Sequence, residues 1–290
     1  MTSSDAVAQH YSGRGLVDRI MAALAKAGHE SQILTPDILA PHDEFHVGGI
    51  EATHRFSGRL EITPDSRLLD VGCGAGGPAR TVAATIGCHV TGIDLTADFI
   101  TAGTELTDRG QLAGRVTLHP GSALDMPFDD AAFDRAMMLH VGMNIADKAG
   151  LMAEVARVLA PGGLFGVYDM MRVSDGEIGF PMPWAPHEGV SAVKRPEDYI
   201  NAAEAARLTL VAQHDETAAA EGFFQHILAT KPPLEPGQTP DPFSNLAAHI
   251  RQGILAPTEL IFRKTGGWAR RQATGGSASS APARWDLSMR

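Results

Sequence analysis

Short apolar runs alternate with segments of helical periodicity through the middle of the chain. Each run is bounded by glycine, proline or polar residues and is too short for an ordinary helix, which favours a buried strand. Alternation of strands and helices predicts an α/β protein with a mostly parallel sheet and helices on both of its faces. The five predicted strands are Arg67–Val71, His89–Asp94, 116–119, Phe133–Leu139 and 164–170.

Capping residues indicate where the intervening helices begin and end. Pro78 stands at the predicted first turn of the helix after strand one, and Gly87 at its end. Thr96 and Asp147 are predicted N-caps, because their side-chain oxygens can accept from free backbone N–H groups. Pro161, followed by two glycines, is predicted to stop the helix before strand five.

The pattern changes at both ends of this region, and the changes suggest one domain with elaborations. Residues 5–27 and 51–60 are predicted helices, and residues 173–196 are rich in glycine and proline. Later elements are predicted near 197–206 (helix), 208–214 (strand), 217–230 (helix) and 260–263 (strand). The expected organisation is a helical cap over 1–60, a main domain over 61–265 with substrate-lid insertions at 173–196 and 217–256, and a flexible basic tail over 266–290.

Composition and charge narrow the functional classes. The chain has 290 residues, is 44% hydrophobic and carries a formal net charge of −10, so a globular protein that does not bind nucleic acid is expected. No apolar run approaches the ~20 residues of a membrane helix, and no signal peptide is visible. With only two cysteines, a cytoplasmic location is predicted.

The segment from Asp70 to Gly76 is a glycine-rich turn between a predicted strand and a predicted helix. Gly72, Gly74 and Gly76 let the backbone approach a ligand, and the backbone of Cys73 belongs to the same turn. The Cys73 thiol itself is expected to be a packing group. Asp70 would repel a pyrophosphate but would attract an ammonium group.

Asp94, at the end of strand two, completes the ligand argument. A carboxylate there can accept hydrogen bonds from both hydroxyls of a ribose. An adenosine that carries an unphosphorylated amino-acid arm satisfies both Asp70 and Asp94. The predicted cofactor is therefore S-adenosylmethionine, with S-adenosylhomocysteine as its product.

With these residues in place, the chain resembles the class I S-adenosylmethionine-dependent methyltransferases over about residues 60–172. The glycine loop, Asp94, the segment 121–128 and the segment 159–163 match in order. The resemblance implies a Rossmann-like fold with a seven-stranded sheet. It also places Ala123 and Leu124 beside the adenine and adds Leu95 to the cofactor-binding residues; Ser122 stands where the family more often has aspartate.

The flanking segments 46–53 and 140–145 resemble bacterial small-molecule methyltransferases of the sarcosine/dimethylglycine and natural-product types. His140, at the end of strand four, is expected to face the methyl donor and is also a candidate cofactor-binding residue. His140 and His46 are the candidates for a catalytic base, which is needed only if the acceptor must lose a proton. No metal site is predicted, since the histidines are scattered. The candidate substrate-binding residues are Tyr11, Phe45, His46, Met143, Asn144 and Trp184.

The leading hypothesis is methyl transfer by in-line displacement to a nitrogen or electron-rich carbon of a small molecule. A protein of this fold could instead bind the cofactor and catalyse a non-methylating reaction such as a cyclisation, because fold does not fix function. A nicotinamide-dependent dehydrogenase and a macromolecular methyltransferase are the remaining alternatives. The sequence is compatible with a homodimer.

Overall fold

A computed structural model describes residues 15–29, 32–229 and 240–266, and its centre is a seven-stranded sheet. The strand order is β3-β2-β1-β4-β5-β7-β6, and β7 is antiparallel to both of its neighbours while the other pairs are parallel. The strands are β1 (Arg67–Val71), β2 (His89–Asp94), β3 (Val116–Pro120), β4 (Phe133–Leu139), β5 (Leu159–Arg172), β6 (Leu208–Asp215) and β7 (Leu255–Lys264).

Helices cover both faces of the sheet and its carboxyl edge, and the predicted Rossmann-like α/β class is confirmed. Two short 3-10 turns, Gly142–Asn144 and Glu188–Val190, interrupt the loops after β4 and β5. The helices are α1 (Leu16–Lys26), α2 (Pro36–Asp43), α3 (Gly49–Gly58), α4 (Gly77–Ile86), α5 (Ala97–Arg109), α6 (Lys148–Val158), α7 (Pro196–Ala205), α8 (Thr217–Ala229) and α9 (Pro242–Arg251).

Two hydrophobic cores explain why the strands are almost continuously apolar. Within β1, Leu69 and Val71 point into the core beneath α6 and α7, whereas Leu68 points into the core beneath α3 and α4. Met138 and Met137 divide in the same way on β4. Successive side chains alternate between faces, and both faces are covered, so most positions are apolar.

The structure changes several boundaries predicted from the sequence. The strand predicted at 260–263 begins at Leu255, because β7 lies between β5 and β6 and its polar Thr258 and Glu259 are also buried. Strand β5 begins at Leu159, directly after α6, so Pro161 lies within the strand. Of the predicted helix over 5–27, residues 1–14 lie outside the described part of the chain.

Both predicted N-cap residues stand at the starts of their helices, but only Asp147 makes a side-chain capping bond. The Asp147 carboxylate accepts from the Gly150 N–H at 2.8 Å at the start of α6. The Thr96 side chain makes no capping bond to α5; instead its own backbone N–H donates to Asp94 Oδ1 at 2.8 Å.

The buried guanidinium of Arg80 connects α4 to three neighbouring segments. It donates to Asp43 Oδ2 at 2.6 Å, to the Ala75 carbonyl at 2.7 Å and to the Gly103 carbonyl and Thr107 hydroxyl at 3.0 Å each. Arg80 has no exposed surface and Asp43 is 3% exposed. The ion pair therefore joins the N-terminal helices to the turn after β1.

We expect Asp43→Asn to destabilise the protein by about 3 kcal/mol, because loss of one partner leaves a buried charge uncompensated. Urea unfolding measures the change. The matched control is Asp175→Asn, which removes an exposed ion pair with Arg195 and should alter stability little. Equal effects of the two substitutions would contradict this account of Arg80.

Candidate active site

A cavity of 790 Å³ opens at the carboxyl ends of the central strands. The strand order reverses between β1 and β4, and ligands of open α/β sheets bind at such a reversal. The lining of the cavity includes Gly72 after β1, Asp94 on β2, Gly121 after β3 and His140 after β4. The loop containing Trp184 and helix α9 close the opposite side.

The glycine turn shapes one wall of the cavity. Gly72 has φ +74°, and a Cβ there would lie 2.4 Å from a methyl group of Val141, so glycine is required. Gly74 has φ +54° and faces open space. Gly72 and Gly74 line the cavity, whereas Cys73 and Gly76 are buried behind it.

Asp94 is held in place by the backbone around it. Its Oδ2 accepts from the Gly74 N–H at 2.9 Å, and its Oδ1 accepts from the Thr96 N–H at 2.8 Å. Burial raises the pKa of Asp94 against the lowering effect of these bonds. The carboxylate borders the cavity, and these bonds fix its position.

Asp70 is buried beneath the turn and does not line the cavity directly. Its Oδ2 has no hydrogen-bond partner among the described residues. Burial, and then the negative charges of Glu44 and Asp94, raise the pKa of Asp70 well above its ordinary value. A cationic group placed near it would reverse this effect, so the environment of Asp70 fits an ammonium-bearing ligand.

Small and apolar residues complete the cavity wall that the glycine turn shapes. Leu95, Ala123 and Leu124 all line the cavity, and both leucines are exposed. The Ser122 hydroxyl accepts from the Leu124 N–H at 3.1 Å and shapes the turn. Burial raises the pKa of the Cys73 thiol well above its ordinary value, which agrees with a packing role.

His140 stands between the two halves of the cavity. Its backbone has φ +55°, and its N–H donates to the Tyr168 carbonyl at 2.7 Å. The ring centroid lies 4.9 Å from that of Tyr168 and 6.0 Å from that of His46. Burial, and then the neighbouring His46, lower the pKa of His140 well below its ordinary value, so the imidazole is neutral at pH 7. Its Nε2 is buried and has no partner among the described residues.

His46 belongs to a buried hydrogen-bond network that the sequence did not reveal. Its Nε2 lies 3.0 Å from Glu44 Oε2 and 3.0 Å from the Thr53 hydroxyl. The hydroxyls of Thr53 and Thr81 donate to Glu44 at 2.8 and 2.6 Å. Although burial raises the pKa of Glu44, the bonds from His46 and the threonines outweigh it and lower that pKa. His46 itself does not line the cavity.

A second buried network, also missed from the sequence, supports the segment after β4. Lys148 Nζ donates to the carbonyls of Gly142, Ile145 and Ala192 at 2.7, 2.5 and 3.0 Å. Burial lowers the pKa of Lys148 to about 8. The Tyr199 hydroxyl donates to Asp169 at 2.6 Å nearby. The only sequence signal was Lys148 next to the predicted cap Asp147.

The predicted substrate residues divide into three groups. Phe45, Met143, Asn144 and Trp184 line the cavity together. His46 lies behind it, and Tyr11 lies outside the described residues. Within the described part of the chain there is no cluster of three metal-ligating side chains and no helix long and apolar enough to cross a membrane.

Comparison with known proteins gives this site a family. Residues 69–167 match the family described as methyltransferase domain. This segment is similar to methyltransferase domains. The matched segment contains the glycine turn, Asp94 and His140, and the resemblance inferred from the sequence is confirmed.

Curated relatives of the methyltransferase domain act on different molecules. The chain is 33% identical over 136 residues to a sterol 24-C-methyltransferase of Neurospora crassa, covering 47% of this chain and 36% of that protein. It is 34% identical over 123 residues to a glycine/sarcosine/dimethylglycine N-methyltransferase of Actinopolyspora halophila, covering 42% and 22%. The chain thus spans about a third or less of these relatives.

Solved structures share the fold over a longer range. A geranyl diphosphate C-methyltransferase from Streptomyces coelicolor A3(2) aligns with a TM-score of 0.68 over 91% of this chain and 99% of that chain, at 18% identity. The 4+2 cyclase SpnF aligns with a TM-score of 0.60 over 75% and 81%, at 23% identity. The shared fold therefore hosts both methyl transfer and cyclisation.

The low pKa of His140 predicts a contribution to stability that depends on pH. An unfolded histidine takes up a proton near pH 6.5, whereas the buried ring stays neutral, so this contribution is present above pH 6.5 and lost as the pH falls. We expect the stability difference between wild type and His140→Asn, a residue that tolerates positive φ, to shrink by up to about 1.4 kcal/mol per pH unit below pH 6.5.

Urea unfolding at pH 7.5 and 5.5 measures that difference. An equal gap between the two proteins at both pH values would show that His140 titrates normally in the folded state.

Proposed function

We propose that this chain is an S-adenosylmethionine-dependent methyltransferase that acts on a small-molecule acceptor at nitrogen or an electron-rich carbon. One observation carries the proposal: the glycine turn, Asp94 and His140 open into a single cavity that also contains Met143 and Trp184. Cofactor-binding and acceptor-binding residues then share one enclosed space, as a direct transfer requires.

The cofactor would be held by residues of the cavity wall that the glycine turn shapes. Asp94 would accept from the ribose hydroxyls, and Asp70 would stabilise the ammonium group through the turn formed by Gly72 to Gly76. Leu95, Ala123 and Leu124 would border the adenine. When bound, S-adenosylmethionine supplies an electrophilic methyl group to the lone pair of the acceptor and leaves as S-adenosylhomocysteine.

His140 is the proposed proton acceptor for a substrate that must lose a proton. Its ring is neutral at pH 7 because burial lowers the pKa, so one ring nitrogen keeps a lone pair that can accept a proton. His46 is the second candidate, and Glu44 would orient it by accepting from Nε2. The rings of His46, His140 and Tyr168 pack against one another, and this packing restricts the orientation of both imidazoles.

The finer assignments belong to the same proposal. A cytoplasmic enzyme that forms a homodimer and does not use nucleic acid fits the acidic net charge and the two buried free cysteines. The division into a helical cap at 1–60, a main domain at 61–265 with its lid insertions, and a tail at 266–290 is part of the same proposal. A cyclisation that uses the same cavity is the alternative reaction.

Calorimetric titration of the purified chain with S-adenosylmethionine, S-adenosylhomocysteine and NAD tests the cofactor. We expect binding of the first two and none of NAD. Asp94→Ala should weaken that binding at least tenfold, since a charge-assisted hydrogen bond is lost. Asp108→Ala, an exposed position near the far end of α5, is the control and should leave binding unchanged. Binding of NAD alone would overturn the proposal.

Substitution of His140 tests the reaction. With a protonated acceptor, His140→Asn should reduce turnover about 100-fold or more and should remove the acid limb of the pH–rate profile, as expected for loss of a general base. Release of S-adenosylhomocysteine measures turnover. Product formed without that release would establish the cyclisation alternative, and an unchanged pH profile would exclude His140 as the base.

A further inference from the structure

Exposed apolar side chains are concentrated at the rim of the cavity. Seven large apolar residues are exposed in the described part of the chain, and four of them line this cavity. Phe45 is 59% exposed, the largest fraction of the seven. Because scattered exposure is ordinary but clustering is not, this rim indicates a surface that a ligand covers. The four residues are Phe45, Leu95, Leu124 and Phe243.

The wall opposite the glycine turn is apolar as well. Val47, Met143, Trp184 and Leu246 belong to one hydrophobic cluster and line the cavity; we call these four residues the apolar wall. The indole N–H of Trp184 donates to the Ser191 hydroxyl at 3.0 Å. The wall therefore presents carbon, ring and thioether surface to the cavity.

The carboxylates that line the cavity already have backbone partners. Asp94 accepts from two N–H groups on the cofactor side, and Asp147 caps α6. Arg19 is the remaining charged residue among the described lining. His140, which lines the same cavity, is neutral at pH 7. Three charged side chains, Arg19, Asp94 and Asp147, therefore line the cavity in the described part of the chain, and none of them belongs to the apolar wall.

We infer that the acceptor is a neutral, predominantly apolar molecule with a single polar or nucleophilic group that faces His140. The inference rests on the proposed function, because it assigns the other half of the cavity to the cofactor. An apolar body gains free energy from leaving water at the apolar wall and at Phe45 and Phe243 of the rim. A zwitterion or a diphosphate would lose hydration there without a matching set of charges.

A homologous series of ligands tests the inference. With S-adenosylhomocysteine saturating, linear primary alcohols of six to ten carbons compete with the fluorescent probe N-phenyl-1-naphthylamine. We expect affinity to rise about threefold to fourfold per methylene, which corresponds to burial of each added group. Sarcosine, phosphoethanolamine and geranyl diphosphate with Mg²⁺ should compete at least tenfold less well than decanol. A flat series, or stronger competition by any charged compound, would overturn the inference.

Charge placed at the rim gives an independent measurement. Phe45→Glu and Phe243→Glu change exposed positions, so both variants should fold, and each should weaken decanol binding at least tenfold. Val211→Glu, a 50% exposed position on β6 outside the cavity, is the matched control and should bind decanol normally. Equal binding by all three variants would contradict a rim that contacts the acceptor.

The cofactor titration separates the two proposals. If S-adenosylhomocysteine fails to bind but the alcohol series shows its expected slope without it, the apolar site stands and the methyltransferase proposal fails. If S-adenosylhomocysteine binds and the series is flat, only the acceptor inference fails.

Discussion

The buried guanidinium of Arg80 holds together the segments from which the cofactor side of the cavity is built. It contacts a carboxylate on α2, the carbonyl of Ala75 in the glycine turn, and two groups on α5. Strand β1 would end in a loose glycine-rich loop without such an anchor, since glycine restricts the backbone least. A charge with four fixed acceptors converts that loop into a defined surface.

On the opposite side of the cavity, a buried lysine holds irregular segments together in the same way as Arg80. The Lys148 ammonium donates hydrogen bonds to three carbonyls, of which two belong to the segment after β4 and one to the loop before α7. Ala192 N–H also donates to the Met143 carbonyl at 2.7 Å, which ties this loop to the cavity wall. Buried cations thus satisfy backbone carbonyls that irregular segments leave without strand or helix partners.

Between these anchors, the cavity is divided by polarity. On the side of the glycine turn, carboxylates accept backbone hydrogen bonds or could pair with a cationic ligand. On the other side, the apolar wall presents sulfur, ring and aliphatic groups. His140 also lines this cavity, and its backbone has a left-handed conformation. Strain of this kind is retained at sites where it positions a functional group.

The sequence alone determined the order and type of the elements of the central sheet. Alternating apolar runs, proline at helix starts and glycine at the turn act locally, so the strands up to β4 and the glycine turn followed by Asp94 at the end of β2 could be predicted. The full length of β7 could not, because its buried Thr258 and Glu259 are polar and gain their environment from β5, β6 and α3.

Only the tertiary structure decided which side chains act together at the site. Glu44 bonds to Thr81 across 37 positions, and Lys148 to Ala192 across 44, and neither pairing leaves a periodic trace in the sequence. The tertiary structure also places His46 behind the cavity and Phe45 at its rim, although these two residues are neighbours in the chain. Local patterns report the backbone that residues adopt, whereas a site depends on contacts between distant segments, which packing alone brings together.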